Sequence, residues 1–259
     1  GSSFERDIES FKTIINDPRF RPDMLKIYPT LVVRGTKLYE MWKDGNYTPY
    51  DTDECVKLLV DVSQIFPPWI RVQRMQRDIP AKLIEAGPRR SDLHNLVQKA
   101  LITMGKRCPC IRCREVARVA ETLGMEPDLM DVHVKYLLYE GSDGDEHFIS
   151  CEDVHQDILL GFLRLRVPSE NAHRPEIKNM SSTIIRELHV YGPAVKIGYS
   201  PNRREWQHRG IGSTLLQNAE TIAKDQYDAK KLLVTSAIGV REYYRKLGFS
   251  EDGPYVSKS

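Results

Sequence analysis

The stretch that decides the fold of the second half of this sequence is Gln207-His208-Arg209-Gly210-Ile211-Gly212. It follows a predicted strand and opens a predicted helix, and its two glycines leave no side chain where backbone amides must approach a phosphate. The N-terminus of the helix adds unpaired N–H groups and a partial positive charge. Turns with two glycines are common, so this stretch alone is weak evidence for a phosphate site.

The segments on either side make the pattern specific. The predicted helix presents one apolar face, formed by Ile211, Leu215, Leu216, Ala219, Ile222 and Ala223. Upstream, a predicted strand over 184–191 contains Glu187-Leu188-His189-Val190. Downstream, a strand over 232–235 precedes a helix over 240–247 that contains Tyr243-Tyr244-Arg245-Lys246-Leu247-Gly248-Phe249. In this order the three segments resemble the GNAT superfamily of acyl-CoA-dependent transferases.

The resemblance implies that acetyl-CoA lies between a splayed strand and the helix after the glycine turn. The implied cofactor-binding residues are Glu187, Leu188, His189, Val190, Gln207, Gly210, Ile211, Gly212, Ser213, Thr214 and Tyr244. Tyr244 is expected near the thioester sulfur as an acid, and Glu187 is a candidate general base. Two other interpretations stay open: one tyrosine of the pair Tyr243 and Tyr244 is a core aromatic, and Glu187 is solvated or salt-bridged. His189 is expected to be packed.

A second signal is the cluster Cys108-Pro109-Cys110-Ile111-Arg112-Cys113. Three thiols this close predict a zinc site formed by Cys108, Cys110 and Cys113, with free buried thiols as the alternative. No fourth ligand is evident, because a lone histidine on a helix, such as His94, is more often a surface residue. The odd count of five cysteines, without a secretory signal, favours a reducing cytoplasmic setting.

The third signal is an uneven distribution of charge. Residues 1–120 carry 21 Lys and Arg against 15 Asp and Glu, whereas residues 121–259 carry 17 against 21. The segment from Arg71 to Arg118 holds 12 basic and four acidic residues. Such a block is either a solvated face or a surface that binds phosphates. Trp69 and Tyr28 are the aromatic residues that could stack on an unpaired base.

The chain is predicted to be α/β with three parts. A helix over 4–16, a strand over 24–33, a helix over 51–65 and a strand over 69–74 alternate as in βα barrels, but only about two such units fit. We therefore expect the C-terminal part of a barrel in residues 1–90, a zinc-binding basic segment with a helix over 92–104 in residues 91–125, and a GNAT domain in residues 126–259. The GNAT domain is expected to be a mixed sheet with helices on both faces.

Five motifs together resemble the family of the Elongator catalytic subunit, which joins a radical-SAM barrel, a zinc segment and a GNAT domain. They are Pro22-Asp23-Met24-Leu25-Lys26-Ile27-Tyr28-Pro29-Thr30, Arg74-Met75-Gln76-Arg77-Asp78-Ile79-Pro80, Arg112-Cys113-Arg114-Glu115-Val116, Arg186-Glu187-Leu188-His189-Val190-Tyr191-Gly192 and Tyr243-Tyr244-Arg245-Lys246-Leu247-Gly248-Phe249. The resemblance runs nearly from end to end.

The resemblance implies a tRNA-modifying acyltransferase that forms 5-carboxymethyluridine at the wobble position. In the full-length protein, a radical made from S-adenosylmethionine at a 4Fe–4S cluster activates the acetyl group of acetyl-CoA. The implied tRNA-binding residues are Arg71, Arg74, Arg77, Arg112 and Arg114. Other Elongator subunits or a second copy of the chain are the expected protein partners.

The sequence departs from the family in one respect: no three cysteines have the Cys-x-x-x-Cys-x-x-Cys spacing of a radical-SAM cluster. An N-terminally truncated chain is therefore expected, one that binds acetyl-CoA and tRNA but cannot start radical chemistry. Two alternatives remain, a GNAT-type protein lysine acetyltransferase and a non-catalytic tRNA-binding module. No apolar run is long enough to span a membrane, and no membrane partner is expected.

Overall fold

The structure, a computed structural model, describes residues 2–178, 180–192 and 210–259. Contacts between residues divide the chain into a first unit, Gly1–Arg114, and a second unit, Glu115–Ser259. The domain boundaries expected after residues 90 and 125 stay predictions. None of the helices in the described ranges is long and apolar enough to cross a membrane.

The helices and strands are as follows. The helices are α1 (Phe4–Asn16), α2 (Lys37–Lys43), α3 (Thr52–Ser63), α4 (Leu93–Thr103), α5 (Ile111–Arg114), α6 (Val116–Leu123), α7 (Pro175–Lys178), α8 (Ile211–Tyr227) and α9 (Arg241–Lys246). The strands are β1 (Met24–Lys26), β2 (Val32–Val33), β3 (Arg71–Arg74), β4 (Ile84–Ala86), β5 (Val132–Gly141), β6 (Gly144–Asp153), β7 (Ile158–Val167), β8 (Ser182–Val190), β9 (Lys231–Val234), β10 (Ser250–Asp252) and β11 (Tyr255–Lys258).

In the first unit, β1 pairs with β3 in parallel and β2 pairs with β4 in antiparallel. The predicted helices over 4–16 and 92–104 are confirmed, and so is the start of α3, where Asp51 and Glu54 form a capping box. The single strand predicted over 24–33 is wrong, because the chain forms β1 and β2 with an irregular segment around Pro29 between them. Proline has no N–H to donate to a sheet, which accounts for the interruption.

One apolar core holds the first unit together. Val72 of β3 and the preceding Ile70 are buried in it. They share this cluster with side chains of α3 and α4 such as Val62, Val97 and Leu101. Cys108 and Cys110 belong to the same buried cluster. The segment that contains the three clustered cysteines is therefore part of this core and not a surface loop.

The second unit is a seven-stranded mixed sheet in the order β10-β11-β9-β8-β7-β6-β5. Among these described strands, only β8 and β9 are parallel neighbours, and every other neighbouring pair is antiparallel. The mixed α/β fold predicted from the sequence is confirmed. Strand β6 was not predicted, although its turn is typical of a hairpin: Ser142 and Asp143 both have positive φ, as a two-residue type I′ turn requires.

Helix α8 covers one face of this sheet. Its residues Leu215, Leu216, Ala219, Ile222 and Ala223 are buried, as the apolar pattern predicted. They pack against sheet residues that share one cluster: Ile149, Cys151, Leu163, Leu165, Ile185, Leu232 and Val234. Burying a large aliphatic side chain contributes roughly 1.5–3 kcal/mol, so this contact holds the N-terminus of α8 firmly against the sheet.

Asp153, at the end of β6, fixes the turn into β7 and the chain that enters the sheet. Its carboxylate is fully buried and accepts hydrogen bonds from the backbone N–H of Asp128 and of Gln156, both at 2.8 Å, and from the Gln156 side chain at 2.9 Å. Burial raises the pKa of Asp153, but the hydrogen bonds outweigh burial, and the pKa lies below its ordinary value.

We expect Asp153→Asn to lower the free energy of unfolding by about 2 kcal/mol at pH 7, because hydrogen bonds to a buried charge are removed. A lowered pKa in the folded state stabilises the protein above the unfolded-state pKa and ceases to do so as the pH falls through the folded-state value. Urea unfolding at pH 7 and near pH 3 should therefore show a difference that shrinks in acid. Asp143→Asn, at an exposed turn position, is the matched control, and an equal loss of stability in both variants would contradict the role of Asp153.

Candidate functional site

In the described ranges, a cleft opens between β8 and β9 where their pairing stops. The two strands pair from Ser182 with Lys231 to Ile185 with Val234, and Thr235 N–H still donates to the Ile185 carbonyl at 2.9 Å. Beyond Ile185, β8 continues to Val190 paired only with β7 among the described strands. Residues 187–190 therefore turn one backbone edge toward the cleft, as expected for the splayed strand that the resemblance implied.

A β-bulge marks the point at which the strands separate. Arg164 pairs with Glu187 and Leu165 pairs with Ile185, so that Arg186 is an extra residue in β8. Bulges bend a strand and change the direction of its side chains. Here Ile185 and Leu188 both pack against the α8 side of the sheet, although they are three positions apart.

The N-terminus of α8 lies at the open end of this cleft. Gly210 has φ +83° as the N-cap, and a Cβ added at Gly212 would lie 3.7 Å from Val190 Cγ2. Gly161 of β7 allows the close approach, because a Cβ there would meet the His189 carbonyl at 2.9 Å and Ile211 Cγ2 at 3.2 Å. The glycines thus bring the start of α8 directly onto β7 and β8.

The helix start offers amides to an anion, but not all those predicted. Thr214 N–H donates to the Gly210 carbonyl at 2.8 Å, so its amide is already engaged, and Thr214 could contact a ligand only through its exposed side chain. The amides of Ile211, Gly212 and Ser213 belong to the first turn, where intrahelical partners are lacking. Gln207 lies outside the described residues.

The two neighbouring tyrosines occupy different environments. Tyr244 is 6% exposed in the core and packs edge-on against Phe249, and burial raises its pKa to about 12. Tyr243 is 40% exposed, and its Oη would lie 3.6 Å from a Cβ at Gly212. The hydroxyl that reaches the start of α8 is thus that of Tyr243.

Glu187 is not a free carboxylate. Its Oε2 accepts a hydrogen bond at 3.0 Å from Nε of Arg164, a fully buried arginine. The Arg164 guanidinium also lies 5.4 Å from the ring centre of Phe148 and 5.2 Å from that of Phe162. Glu187 is therefore salt-bridged, which was the alternative interpretation of this residue. A carboxylate held by a buried cation is poorly placed to accept a proton.

His189 and the bulge residue are also engaged. The His189 ring lies 4.5 Å from that of Tyr191, centre to centre, and its side chain is exposed rather than enclosed. Arg186 donates to the buried Glu146 at 2.8 Å, and Glu146 also accepts from Arg166 at 2.7 Å. Glu146 therefore holds the bulge residue by an ion pair on the sheet.

A second site candidate lies in the first unit. The sulfur atoms of Cys108, Cys110 and Cys113 all lie within 4.8 Å of one another. Helix α5 brings them together, because Cys113 N–H donates to the Cys110 carbonyl at 3.1 Å and Ile111 N–H donates to the Ile70 carbonyl of the β3 segment at 2.9 Å. This spacing of sulfur atoms suits a single tetrahedral metal ion.

The surroundings of the thiols add two polar groups that the sequence did not indicate. His94 is 7% exposed, and its Nε2 lies 3.7 Å from Cys113 Sγ. Gln98, one turn further along α4, donates to the same sulfur at 3.5 Å. The expectation that His94 is a surface residue is therefore wrong: the helix turns its imidazole inward, toward the thiols.

The thiols also affect each other's ionisation. A hydrogen bond to Cys110 raises the pKa of the Cys108 thiol well above its ordinary value. Hydrogen bonds from Cys108 and Cys113 lower the pKa of Cys110 well below its ordinary value, against the effect of burial. A thiolate is the form of cysteine that binds a metal, and the pKa of Cys110 is shifted in the direction that favours this form.

The five predicted phosphate-binding arginines are not equivalent. Arg74 and Arg77 are exposed, Arg71 and Arg112 are half-buried, and Arg114 is buried. Arg74 pairs with Asp78, whereas the Arg77 guanidinium stacks on Tyr28 at 5.3 Å from the ring centre. A buried guanidinium offers little surface to a phosphate, so the geometry favours Arg77 and disfavours Arg114.

Comparison with known proteins links both units to characterised families. Residues 22–103 match the Radical_SAM C-terminal domain, and residues 203–259 match the acetyltransferase (GNAT) domain. The tRNA uridine(34) acetyltransferase of Methanocaldococcus jannaschii is 47% identical over 258 residues, which are 100% of this chain and 47% of that protein. Elongator complex protein 3 of Saccharomyces cerevisiae is 43% identical over 255 residues, 98% of this chain and 45% of that protein.

A solved structure is similar along the whole chain. Methanocaldococcus infernus Elp3 with an N-terminal deletion has a TM-score of 0.92 and 47% identity, and the match covers 100% of this chain and 60% of that one. The chain thus spans about half the length of the relatives it matches. With these matches to a Radical_SAM C-terminal domain and a GNAT domain, the chain belongs to the family of the Elongator catalytic subunit.

Proposed function

We propose that this chain supplies the acetyl-CoA-binding and tRNA-binding parts of an enzyme that forms 5-carboxymethyluridine at the wobble position of tRNA. The observation that carries the proposal is the separation of β8 from β9 beyond Ile185, with the N-terminus of α8 at the open end. The relatives named as tRNA uridine(34) acetyltransferases support the nature of the substrate. A cytoplasmic location, and assembly with other Elongator subunits or a second copy, belong to the same proposal.

In this proposal the backbone edge of residues 187–190 pairs with the amides of pantetheine. The amides of Ile211, Gly212 and Ser213 bind the pyrophosphate, since an anion at a helix N-terminus is stabilised by the unpaired N–H groups and the helix dipole. Tyr243, rather than Tyr244, is the tyrosine whose hydroxyl faces the thioester. Its exposure and its approach to Gly212 support this assignment, whereas Tyr244 is enclosed in the core.

Zinc fits the thiol cluster. Three sulfur atoms within 4.8 Å supply three soft ligands, and we propose the imidazole of His94 as the fourth, from its distance of 3.7 Å to Cys113 Sγ. A zinc ion there would cross-link α4, α5 and the segment between them. The proposed role is structural, because the four protein ligands complete the coordination of the ion.

A 4Fe–4S cluster does not fit this chain. A radical-SAM cluster needs three cysteines spaced Cys-x-x-x-Cys-x-x-Cys, and the clustered cysteines have the spacing Cys-x-Cys-x-x-Cys. Cys55 and Cys151 are buried in separate units, with pKa values that burial raises to about 12 and about 11. We therefore assign no step of the radical chemistry to residues of this chain.

A protein lysine acetyltransferase is the alternative function, because the cleft in the second unit would also serve direct attack by an amine. The geometry gives it little support. The candidate base Glu187 is held by Arg164, and lysine transfer would leave the basic first unit without a role. Acetyl-CoA turnover with tRNA, compared with turnover on a lysine peptide, distinguishes the two functions.

We expect Gly212→Asp to weaken acetyl-CoA binding at least tenfold more than Gly212→Ala. An alanine Cβ at this position would make only ordinary contacts of 3.6 and 3.7 Å, whereas aspartate places a negative charge beside the proposed pyrophosphate site. Isothermal calorimetry gives the affinities, and melting temperatures check that both variants fold. Equal affinities for the two variants would show that the pyrophosphate does not bind at the start of α8.

We expect purified protein to contain one zinc ion per chain by elemental analysis. Cys110→Ser should lose most of the metal and increase hydrogen exchange in residues 101–118, because thiolate ligation is coupled to folding. His94→Ala should keep some zinc but release it to a weaker chelator. Cys151→Ser changes a buried cysteine of the other unit and should keep full zinc content. Protein that is free of zinc without ever meeting a chelator would show that the thiols are simply buried.

We expect tRNA to bind the first unit. Replacing Arg74 and Arg77 with alanine should weaken binding and lower the slope of log affinity against log salt by roughly 0.7–0.9 for each phosphate that the variant no longer binds. Filter binding at several salt concentrations measures both quantities. Arg245→Ala, at an exposed arginine of the second unit that pairs with Glu251, is the control. If the double variant keeps the parental affinity and slope, the basic block is only a solvated face.

A further inference from the structure

Two cavities of different character lie next to each other in the first unit. The aromatic cavity has a volume of about 370 Å³, and three tyrosines, Tyr28, Tyr47 and Tyr50, are among its lining residues. The basic cavity has a volume of about 240 Å³ and is lined by three arginines, Arg77, Arg89 and Arg90, among others. Pro29 lines both cavities, so they meet at the segment that follows β1.

The aromatic cavity combines ring surfaces with hydrogen-bonding groups. The Tyr50 hydroxyl donates to Asp7 Oδ2 at 2.8 Å, and burial, together with this contact, raises the pKa of Tyr50 to about 12. Thr30 and Thr48 add hydroxyl groups to the lining. Aromatic faces with a few polar groups are the surroundings in which proteins hold unpaired bases. The volume is sufficient for a base and its sugar.

The basic cavity has positive charge that is not neutralised. Arg90 makes two hydrogen bonds of 2.8 Å to Asp92. Arg89 donates to the carbonyl oxygen of Glu85 and Arg77 stacks on Tyr28, and neither makes an ion pair with a carboxylate in the described ranges. Two guanidinium groups beside a small cavity favour a phosphate.

One contact joins the two cavities. Arg77 of the basic cavity lies 5.3 Å from the ring centre of Tyr28, which lines the aromatic cavity and is 40% exposed. The backbone holds the two residues near each other, since Ile27 N–H donates to the Arg74 carbonyl at 2.8 Å. A stacking surface and a phosphate-binding charge are therefore placed at a fixed separation.

We propose that these cavities bind one unpaired nucleotide of an RNA, with its base stacked on Tyr28 in the aromatic cavity and a flanking phosphate at Arg77 and Arg89. This inference rests on the proposed function, because it assumes that RNA is the ligand of the first unit. A base in a duplex is already stacked and paired and cannot enter a cavity, so the site selects RNA with an unpaired loop.

Another tyrosine of the same unit is a matched control. Tyr39 also has a cation over its ring, with Lys43 Nζ at 5.7 Å from the ring centre, but it lines neither cavity. The same replacement at Tyr39 and at Tyr28 therefore distinguishes the effect of losing the cavity wall from the effect of losing any tyrosine of this unit.

The test uses an RNA hairpin that carries 2-aminopurine at one loop position, titrated into the whole chain. Binding to the parent protein should quench the 2-aminopurine fluorescence. Tyr28→Leu should abolish the quench and weaken binding roughly 5- to 150-fold, as expected when one base–aromatic stack is removed. Tyr28→Phe should keep both the quench and the affinity, and so should Tyr39→Leu. Arg77→Gln combined with Arg89→Gln should lower the salt slope by roughly 0.7 for each phosphate that the variant no longer binds.

The outcomes separate this inference from the proposed function. If the parent protein binds neither tRNA nor the hairpin, the proposed function fails, and the inference with it. If the parent binds tRNA and Tyr28→Leu leaves quench and affinity unchanged, only the nucleotide site is overturned. Should Tyr28→Leu lower the melting temperature, Thr48→Leu replaces it: this exposed residue lines the aromatic cavity, and a bulky side chain that cannot stack should block the base. Unchanged quench in a folded Thr48→Leu protein would overturn the site as well.

Discussion

The arrangement of the second unit depends on the limited pairing between β8 and β9. Four residues of each strand pair in parallel, and a single further hydrogen bond from Thr235 closes the contact. Where a buried strand stops pairing with its neighbour, its N–H and C=O groups need other hydrogen-bond partners, because leaving them unpaired costs free energy. Among the described strands, β8 beyond Ile185 has no second neighbour, and in the proposed function the amides of pantetheine pair with this edge.

The apolar core of the first unit also contains the thiol cluster. Cys108 and Cys110 lie among aliphatic side chains, and the imidazole of His94 lies 3.7 Å from the sulfur of Cys113. The same core fixes β3, and the segment after β3 bears Arg77. The thiol cluster and the segment that bears Arg77 thus depend on one packed region.

Much of this could be predicted from the sequence, since local signals are strong where the chain is regular. The helix after Gly210 and the helix that begins at Asp51 follow from periodicity and from the chemistry of helix ends. The predictions that failed concern the direction in which a side chain points. Two adjacent tyrosines on a helix point to different sides, and only the packing of α9 shows that Tyr244 is the buried one. His94 looked like a surface residue because it lies against Cys113 of α5, which is 19 positions away along the chain. The interruption of a strand at Pro29 was readable, in contrast, from the missing N–H of proline.

The extra residue in β8 has a consequence for how this segment tolerates change. Ile185 and Leu188 pack on the same side because Arg186 is bulged, and so Glu187 shares the opposite side with Arg164. Side chains of a regular strand alternate, so deletion of Arg186 itself would remove the bulge and leave Ile185 and Leu188 on the α8 side, at the cost of the ion pair between Arg186 and Glu146. Insertion of one more residue would instead exchange the two sides for residues 187–190, unless that residue also bulged. Aliphatic side chains would then face the ion pair between Glu187 and Arg164, and the carboxylate would face α8. We therefore expect this strand to tolerate the loss of its extra residue better than the gain of another.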